Sequence, residues 1–358
     1  MLTNHLKSKS SNAAGVAGFS LVELMISITI GLILLLGLVT LLVNSSASHT
    51  EMQKSSAQIE NGRYATQLLT EDIRLAGYYG EYSPTGYNVP GKPCVAAVTP
   101  VAPNMPSPVG YTLPAVAGDF ACLPNRLTGT GVLVLRRVQT VAATVSPITT
   151  IAGATYLQVS QCSTDSNTTP FKFLAADASP AGEFTFRKMD CDSTKPAALR
   201  KFVVHIYYIS SCNLCDGSET PPIPTLKMFE YVNGAALDRL DALVEGIEDM
   251  RFDYGIDADN DGSPDSYVTD TDTTSTPRLV GTPANWANVM AVRINLLARN
   301  ILPTAGYNDT KVYCMGIPNV NGTCPNAEKV GPFNDTYKRH EFTSLVRVEN
   351  PSARREAP

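Results

Sequence analysis

Four aspartates fall within nine residues at Asp257-Ala-Asp259-Asn-Asp261-Gly262-Ser263-Pro-Asp265. Carboxylates stand at positions 1, 3 and 5, a glycine at 6 permits a sharp turn, and position 9 is again an acid. That spacing suits a hard cation such as Ca²⁺, which is held by oxygen ligands. Ser263 at position 7 could add its carbonyl. The pattern departs at position 12, where Val268 stands in place of a bidentate acid, so Asp270, Asp272 or a residue from elsewhere would have to complete the set. The other reading is a solvated acidic turn between two strands, because Asp, Asn and Gly favour turns. A calcium ion here would order a loop rather than perform chemistry.

The eight cysteines all lie beyond residue 90, which suits an oxidising compartment. Sequence alone does not fix their pairing, but proximity favours Cys94 with Cys122, Cys162 with Cys191, and Cys314 with Cys324. Cys212-Asn-Leu-Cys215 could be a redox pair, half of a zinc site or a small structural disulfide. It has no second C-x-x-C beside it, and His205 gives no zinc spacing, so a structural disulfide is expected. Catalysis has little support. His5, His49, His205 and His340 are scattered, and neither G-x-S-x-G nor H-E-x-x-H occurs. Gly129-Thr-Gly131 lacks the third glycine of a dinucleotide loop. An enzyme is not expected.

One more acid stands out by its surroundings. From Phe19 to Val43 the only ionisable side chain is Glu23, and there is no proline. Those residues make a helix of about 37 Å, enough to cross a bilayer core of about 30 Å. A carboxylate inside such a span is costly and points to function. The polar leader ahead of it carries Lys7 and Lys9 and no acid, so the leader should stay cytoplasmic and the C-terminal part should lie outside. The simplest role for Glu23 is to complement the helix dipole at its N-terminus. An ordinary secretory signal or an uncleaved signal anchor are the plain alternatives for the whole segment.

The elements that must carry these residues follow in order. Residues 44–77 are polar but free of proline, and Met52, Ile59, Leu69, Ile73 and Ala76 recur at roughly helical intervals. This predicts an amphipathic extension of the helix, stopping at Gly77, with that stripe packed on a globular part. Nine prolines between 83 and 125 predict a long irregular loop. Strand signals follow at Val132–Leu135, Tyr156–Val159, Phe184–Phe186, Lys201–Ile209, Met228–Val232, Leu243–Tyr254, Val292–Leu296 and Phe342–Val348. A long helix followed by mostly local strands predicts the α+β class, with an antiparallel sheet. The chain has 358 residues, 44% of them apolar, which is enough for a core beyond the anchor, and its net charge of −5 with no basic run argues against nucleic acid as a partner.

Gly18-Phe19-Ser-Leu21-Val-Glu23-Leu24 ahead of an apolar run resembles the cleavage site of type IV prepilins. Asn61-Gly-Arg63-Tyr64-Ala65, Leu68-Leu69 and Asp72-Ile-Arg74-Leu-Ala76-Gly77-Tyr78 resemble the PilW family of minor pilins, as do Ala291–Leu297 and Arg339–Asn350 near the end. The pseudopilin J family of type II secretion is a related, less close match. The resemblance implies a leader 1–18, a transmembrane half-helix 19–43, an amphipathic half 44–77 and a periplasmic β-rich domain 78–358 with a pilin-like fold. It implies cleavage by a prepilin peptidase between Gly18 and Phe19, N-methylation of Phe19, and a role for Glu23 in compensating the N-terminal amine of a neighbouring subunit. The Cys314–Cys324 pair would close a C-terminal loop of the kind pilins carry. Implied partners are other minor pilins, the major pilin and the inner-membrane assembly platform. The implied location is the bacterial inner membrane, single-pass, and then the pilus. The implied function is a minor pilin that primes or caps pilus assembly. A type II secretion pseudopilin and a membrane-anchored periplasmic binding or enzymatic domain are the rival readings.

Overall fold

The computed structural model describes residues 18–84, 93–94, 105–111, 120–143, 154–165, 171–175, 184–231, 239–272, 276–279, 282–318 and 321–356. Residues 1–17, which hold all but the last residue of the expected leader, and most of the proline-dense stretch lie outside them. The chain divides into two units, Met1–Gln53 and Lys54–Pro358.

In the first unit Ser20 starts a helix, α1 (Leu21–Leu75). Ser20 and Glu23 form a capping box. The Ser20 hydroxyl accepts from Val22 N at 3.3 Å, and Glu23 Oε2 accepts from Ser20 N at 3.2 Å. Every large apolar side chain from Leu21 to Val43 is more than half exposed. The two threonine hydroxyls within the run are satisfied inside the helix: Thr29 Oγ1 donates to Met25 O at 3.0 Å and Thr40 Oγ1 to Leu36 O at 2.7 Å. Among the described residues α1 is the one helix long and apolar enough to cross a membrane.

In the second unit the end of α1 buries Gln58, Gly62, Ala65, Leu69, Asp72 and Ile73, with Ala76 just beyond. The expected stripe is right from Leu69 onward and wrong before it. Met52 is 60% exposed and Ile59 is 40% exposed. The inward face is instead small or polar. Gly62 is there because the Phe342 ring lies so close that a Cβ would stand 2.1 Å from it. Gln58 is there because its amide donates to Ala298 O at 2.6 Å and to Lys338 O at 3.0 Å, satisfying carbonyls at the ends of β10 and β13.

The strands are β1 (Val109–Tyr111), β2 (Val132–Val138), β3 (Thr155–Val159), β4 (Phe171–Ala175), β5 (Leu199–Ser210), β6 (Thr225–Tyr231), β7 (Arg239–Glu245), β8 (Ile247–Ile256), β9 (Ser266–Thr269), β10 (Val289–Arg299), β11 (Tyr313–Cys314), β12 (Lys329–Val330) and β13 (Arg339–Arg347), with a short helix α2 (Glu349–Glu356) at the end. All pairings are antiparallel. β5 is the spine of a seven-stranded sheet: it pairs with β2 and β3 end to end along one edge and with β6, then β7, along the other. A second sheet runs β13-β10-β8-β9, and β11-β12 form a small third ladder.

Alternation along the strands assembles the main core. Leu133, Leu135, Tyr207 and Ile209 from the first sheet meet Met250, Phe252, Tyr254, Val292, Ile294 and Leu296 from the second, and Ala65, Leu69 and Ile73 of α1 join them. The opposite face of the first sheet buries Val132, Val134, Phe202, Val204, Ile206 and Tyr208. Both faces of β5 are therefore covered, which is why its sequence reads as a nearly unbroken apolar run.

Two strand expectations need correction. Leu243–Tyr254 is not one strand: it breaks at Gly246 (φ +77°), where the chain passes from the first sheet to the second, so the segment holds the end of β7 and most of β8. Phe184–Phe186 alternates as expected, with both rings buried, but forms no ladder; an isolated bridge joins Arg187 to Pro196. Phe186 N donates to the Gln158 side chain at 3.1 Å instead of to a neighbouring strand. Within the proline-dense stretch, β1 is a three-residue edge strand on β2, the position proline permits.

Candidate functional site

The loop between β8 and β9 carries the four aspartates. Asp257 is fully buried: its Oδ1 accepts from Asn260 N at 2.6 Å, and its Oδ2 accepts from Gly262 N at 3.0 Å and from Arg355 Nη1 of α2 at 2.8 Å. Burial raises the cost of its charge, but the Arg355 and backbone hydrogen bonds more than reverse this and hold it below the ordinary carboxylate range. Asp265 Oδ2 accepts from Ala258 N at 2.7 Å. Oxygens of Asp257, Asp259 and Asp265 lie within 4.8 Å of one another. Asp261 lies outside that group, its Oδ1 taking Ser263 N at 2.7 Å. Asp270 and Asp272 are not in the group either, and Val268 is in the core. α2 braces the loop: Ser352 Oγ donates to Gly262 O, and a Cβ on Gly262 would stand 2.8 Å from Ser352 O.

The cysteines form four disulfides, Cys94–Cys122, Cys162–Cys191, Cys212–Cys215 and Cys314–Cys324, each joining neighbours in the chain. No free cysteine remains among the described residues.

Sequence reasoning missed two buried ionic clusters. On α1, Asp72 Oδ1 accepts from Arg137 Nε of β2 at 2.8 Å, while its Oδ2 lies 2.5 Å from His205 Nδ1 and accepts from Tyr207 OH at 2.9 Å, both on β5. Burial alone would raise the Asp72 carboxyl, but His205 and Arg137 bring it down to about 2. The same carboxylate, with burial, pushes Tyr207 far up. His205 and Tyr207 stand two apart on one strand face, the signal that could have located the cluster.

The second cluster centres on Arg339, the first residue of β13, whose side chain is wholly buried. Its guanidinium donates to both Glu248 oxygens, to Asp309 Oδ2 at 2.8 Å and to both Asp335 oxygens at 2.7 Å, and it lies 3.6 Å from the centroid of the Phe333 ring. Neither cluster holds a free nucleophile or an unpaired base; both read as joints.

A pocket of about 380 Å³ is lined by Arg126, Arg251, Phe252, Asp270 and Glu328 among others. Burial raises Glu328 to about 7 against the opposing pull of Arg251. Arg251 is already engaged with Asp249 at 3.3 Å and Glu328 at 3.6 Å. At the N-terminus, Gly18 and Phe19 are both exposed, and no atom lies within 4 Å of a Cβ built on Gly18.

Comparison with protein families gives two matches. Residues 206–350 match the family described as Type IV Pilus-assembly protein W, PilW. Residues 14–39 match the prokaryotic N-terminal methylation motif. The first match runs from within β5 to the start of α2, so it takes in the second sheet, the Asp257 loop and the Arg339 cluster. The second match spans Gly18, Phe19 and Glu23. Comparison with curated proteins and with solved structures returned no match.

Proposed function

For a chain that is a PilW-type minor pilin of type IV pili with a prepilin-type N-terminus, we propose a role in priming or capping pilus assembly after cleavage between Gly18 and Phe19. The observation that carries this reading is the methylation-motif match lying over an exposed apolar run, Phe19 to Val43, whose only acid is Glu23. Cleavage by a prepilin peptidase makes Phe19 the N-terminus and places its ammonium one helical turn from Glu23. One Glu23 oxygen is engaged with Ser20 N. The other is left for an ammonium, and in a low-dielectric bundle the amine of a neighbouring subunit is a strong partner. The mechanism is assembly: the helix holds the subunit in the inner membrane, then packs among other helices in the fibre. The β-rich unit lies in the periplasm, a placement supported by its four disulfides and by the lysines of the leader.

Intact mass and N-terminal sequencing of the membrane-extracted protein test the processing. The expected chain starts at Phe19 and is one methyl group heavier, but only in cells that have the peptidase. A chain starting at Met1 in both, or cut beyond Val43, overturns the reading. The priming role is read separately, by counting surface pili in cells lacking the chain, complemented with wild type or Glu23→Ala. Wild type should restore pili and Glu23→Ala should not. Normal piliation with lost export of secreted proteins would assign the chain to type II secretion instead.

We also propose that the Asp257–Asp265 loop takes a structural Ca²⁺. Carboxylate oxygens within 4.8 Å of one another fit a cation with metal–oxygen distances of about 2.4 Å. Arg355 already neutralises part of Asp257, so the ion would be a modest stabiliser. Melting the full chain in detergent should give a midpoint several degrees higher in millimolar Ca²⁺ than in chelator, roughly 1–2 kcal/mol by mass action. Asp259→Asn should remove the difference. Identical melts of the wild-type protein would rule the site out.

A further inference from the structure

The Cys212–Cys215 bridge lies in the turn between β5 and β6, at the sheet's spine. Among the described residues it is the disulfide with a cation on a sulfur. Lys227, on β6, is buried, and its ammonium donates to Cys215 Sγ at 3.6 Å and to Asn213 O, inside the C-x-x-C, at 2.8 Å. Burial depresses the Lys227 pKa, and Glu219 opposes that shift. Glu219 also braces the turn: its two oxygens accept from Asn213 N at 2.9 Å and Leu214 N at 3.1 Å. The remaining charged groups around the turn are Glu245 of β7, which takes the Asn213 amide at 2.5 Å, and Asp216, which is occupied by Ser218 N at 2.9 Å. The turn is open on its outer side, where Leu214 is 63% exposed and Asp216, Gly217 and Ser218 are exposed.

We propose that Cys212–Cys215 is an exchange-competent disulfide, with Cys212 the sulfur attacked by a partner thiolate and Cys215 the leaving thiolate held by Lys227. The incoming thiolate forms a bond to Cys212 Sγ as the Cys212–Cys215 bond breaks. The electron pair departs on Cys215 Sγ, where the Lys227 ammonium stabilises the developing charge. If the partner is a dithiol, its second thiolate then attacks the mixed disulfide. Cys212 leaves as a thiolate, the partner becomes a disulfide, and this pair ends reduced. A stabilised leaving thiolate speeds exchange, and a nearby cation is the usual means of stabilising it. Among the described residues no cation lies on a sulfur of the other three bridges. This inference does not depend on the pilin reading.

Timed reduction of the full chain in detergent with dithiothreitol, followed by differential alkylation and mass mapping, tests it with three internal controls in the same molecule. Cys212 and Cys215 should be labelled roughly tenfold faster than any of the other six cysteines. Lys227→Gln should slow that step by about the same factor and leave the others unchanged, and Lys227→Arg should restore much of the rate. Reduction of this pair no faster than the rest, or equal rates with Lys227→Gln, overturns the proposal. If Lys227→Gln does not fold, Cys212→Ser isolates the Cys215 thiol. Its alkylation rate against pH should then give a pKa below the ordinary value of about 8.5, and a value at or above that overturns the proposal equally.

Discussion

Asp72→Asn should cost about 2–3 kcal/mol of stability at pH 7, and the loss should vanish as the pH falls through about 2. The Asp72 carboxyl titrates at about 2 in the folded chain against an ordinary value of 3.8, a difference worth roughly 2.4 kcal/mol at about 1.36 kcal/mol per pH unit. Its folded pKa is depressed, so its contribution is complete above about pH 4 and is lost as protons bind below that. Burial opposes the shift, and His205 and Arg137 win because both touch the carboxylate. The difference between wild type and variant is the quantity to measure, by denaturant unfolding of the full chain in detergent from pH 2 to 8. Glu328 and Asp249 act in the other direction: burial raises them to about 7 and about 6, so their contribution is present at low pH and lost as the pH rises. Subtracting the two curves removes them. A difference that stays constant across the range would mean the carboxylate is not ionised in the fold. Asp72→Ala should cost more, because it also leaves Arg137, His205 and the Tyr207 hydroxyl buried without their acceptor.

That a helix acid matters to this degree was not legible from the sequence, and the reason is physical. Apolar periodicity finds a helix face only where the face is apolar. From Leu69 to Ala76 it is apolar except at Asp72, so the periodicity marks Leu69, Ile73 and Ala76 and passes over the acid between them. From Gln58 to Gly62 the buried face is polar or bare, because Gln58 ties strand-end carbonyls and Gly62 receives the Phe342 ring. Met52 and Ile59 carry the right chemistry on the wrong phase. The strands were easier, since their β-branched and aromatic runs stand out even where, as in β2, β5 and β10, both faces are buried. Leu243–Tyr254 misled because its alternation hides Gly246, one small residue at which the chain leaves the first sheet for the second. Phe184–Phe186 misled because alternation reports burial and not pairing, and here the hydrogen bonds go to a side chain.

The candidate sites divide in a similar way. Gly18, Phe19 and Glu23 form a purely local pattern, set by spacing along one segment, and residues 14–39 match the N-terminal methylation motif. The aspartate loop was legible as a turn with carboxylates, and its group of three, Asp257, Asp259 and Asp265, is a subset of the five expected ligands. What no local pattern held was Arg355, brought from α2, ninety-eight residues along the chain, to sit on Asp257. The same holds for the ammonium on Cys215: a C-x-x-C announces itself, but the Lys227 beside it is placed by the β5–β6 ladder.

The Arg339 cluster shows how far such long-range placement can be consequential, and Arg339→Ala should be the most damaging single change in the second sheet, costing about 3–5 kcal/mol. Three acids converge on this one cation, and two of them, Glu248 and Asp309, are themselves buried or nearly so. Removing it leaves their charges facing one another with only Arg299, 3.7 Å from Glu248, to offset them among the described residues. The geometry also excludes lysine as a substitute. The planar guanidinium makes a two-point contact with Glu248 and another with Asp335 while stacking on Phe333, and an ammonium cannot do all three. Arg339→Lys should therefore recover less than half of the loss. The consequence is regional. Asp309 N donates to Asp335 O at 2.8 Å, and Asp309 takes the Tyr313 hydroxyl at 3.1 Å, so Arg339 fastens the segment bearing β11, β12 and the Cys314–Cys324 bridge onto β8 and β13. Hydrogen exchange of the full chain should show protection falling first between Asp309 and Asp335 in Arg339→Ala, with the core strands β2 and β5 little changed. The Cys314–Cys324 bridge would remain, since it closes its own short loop and does not depend on the cluster. Uniform loss of protection across both sheets would mean that Arg339 supports the whole fold, and unchanged protection from Asp309 to Asp335 would mean that Phe333 and Tyr313 packing already holds that segment in place.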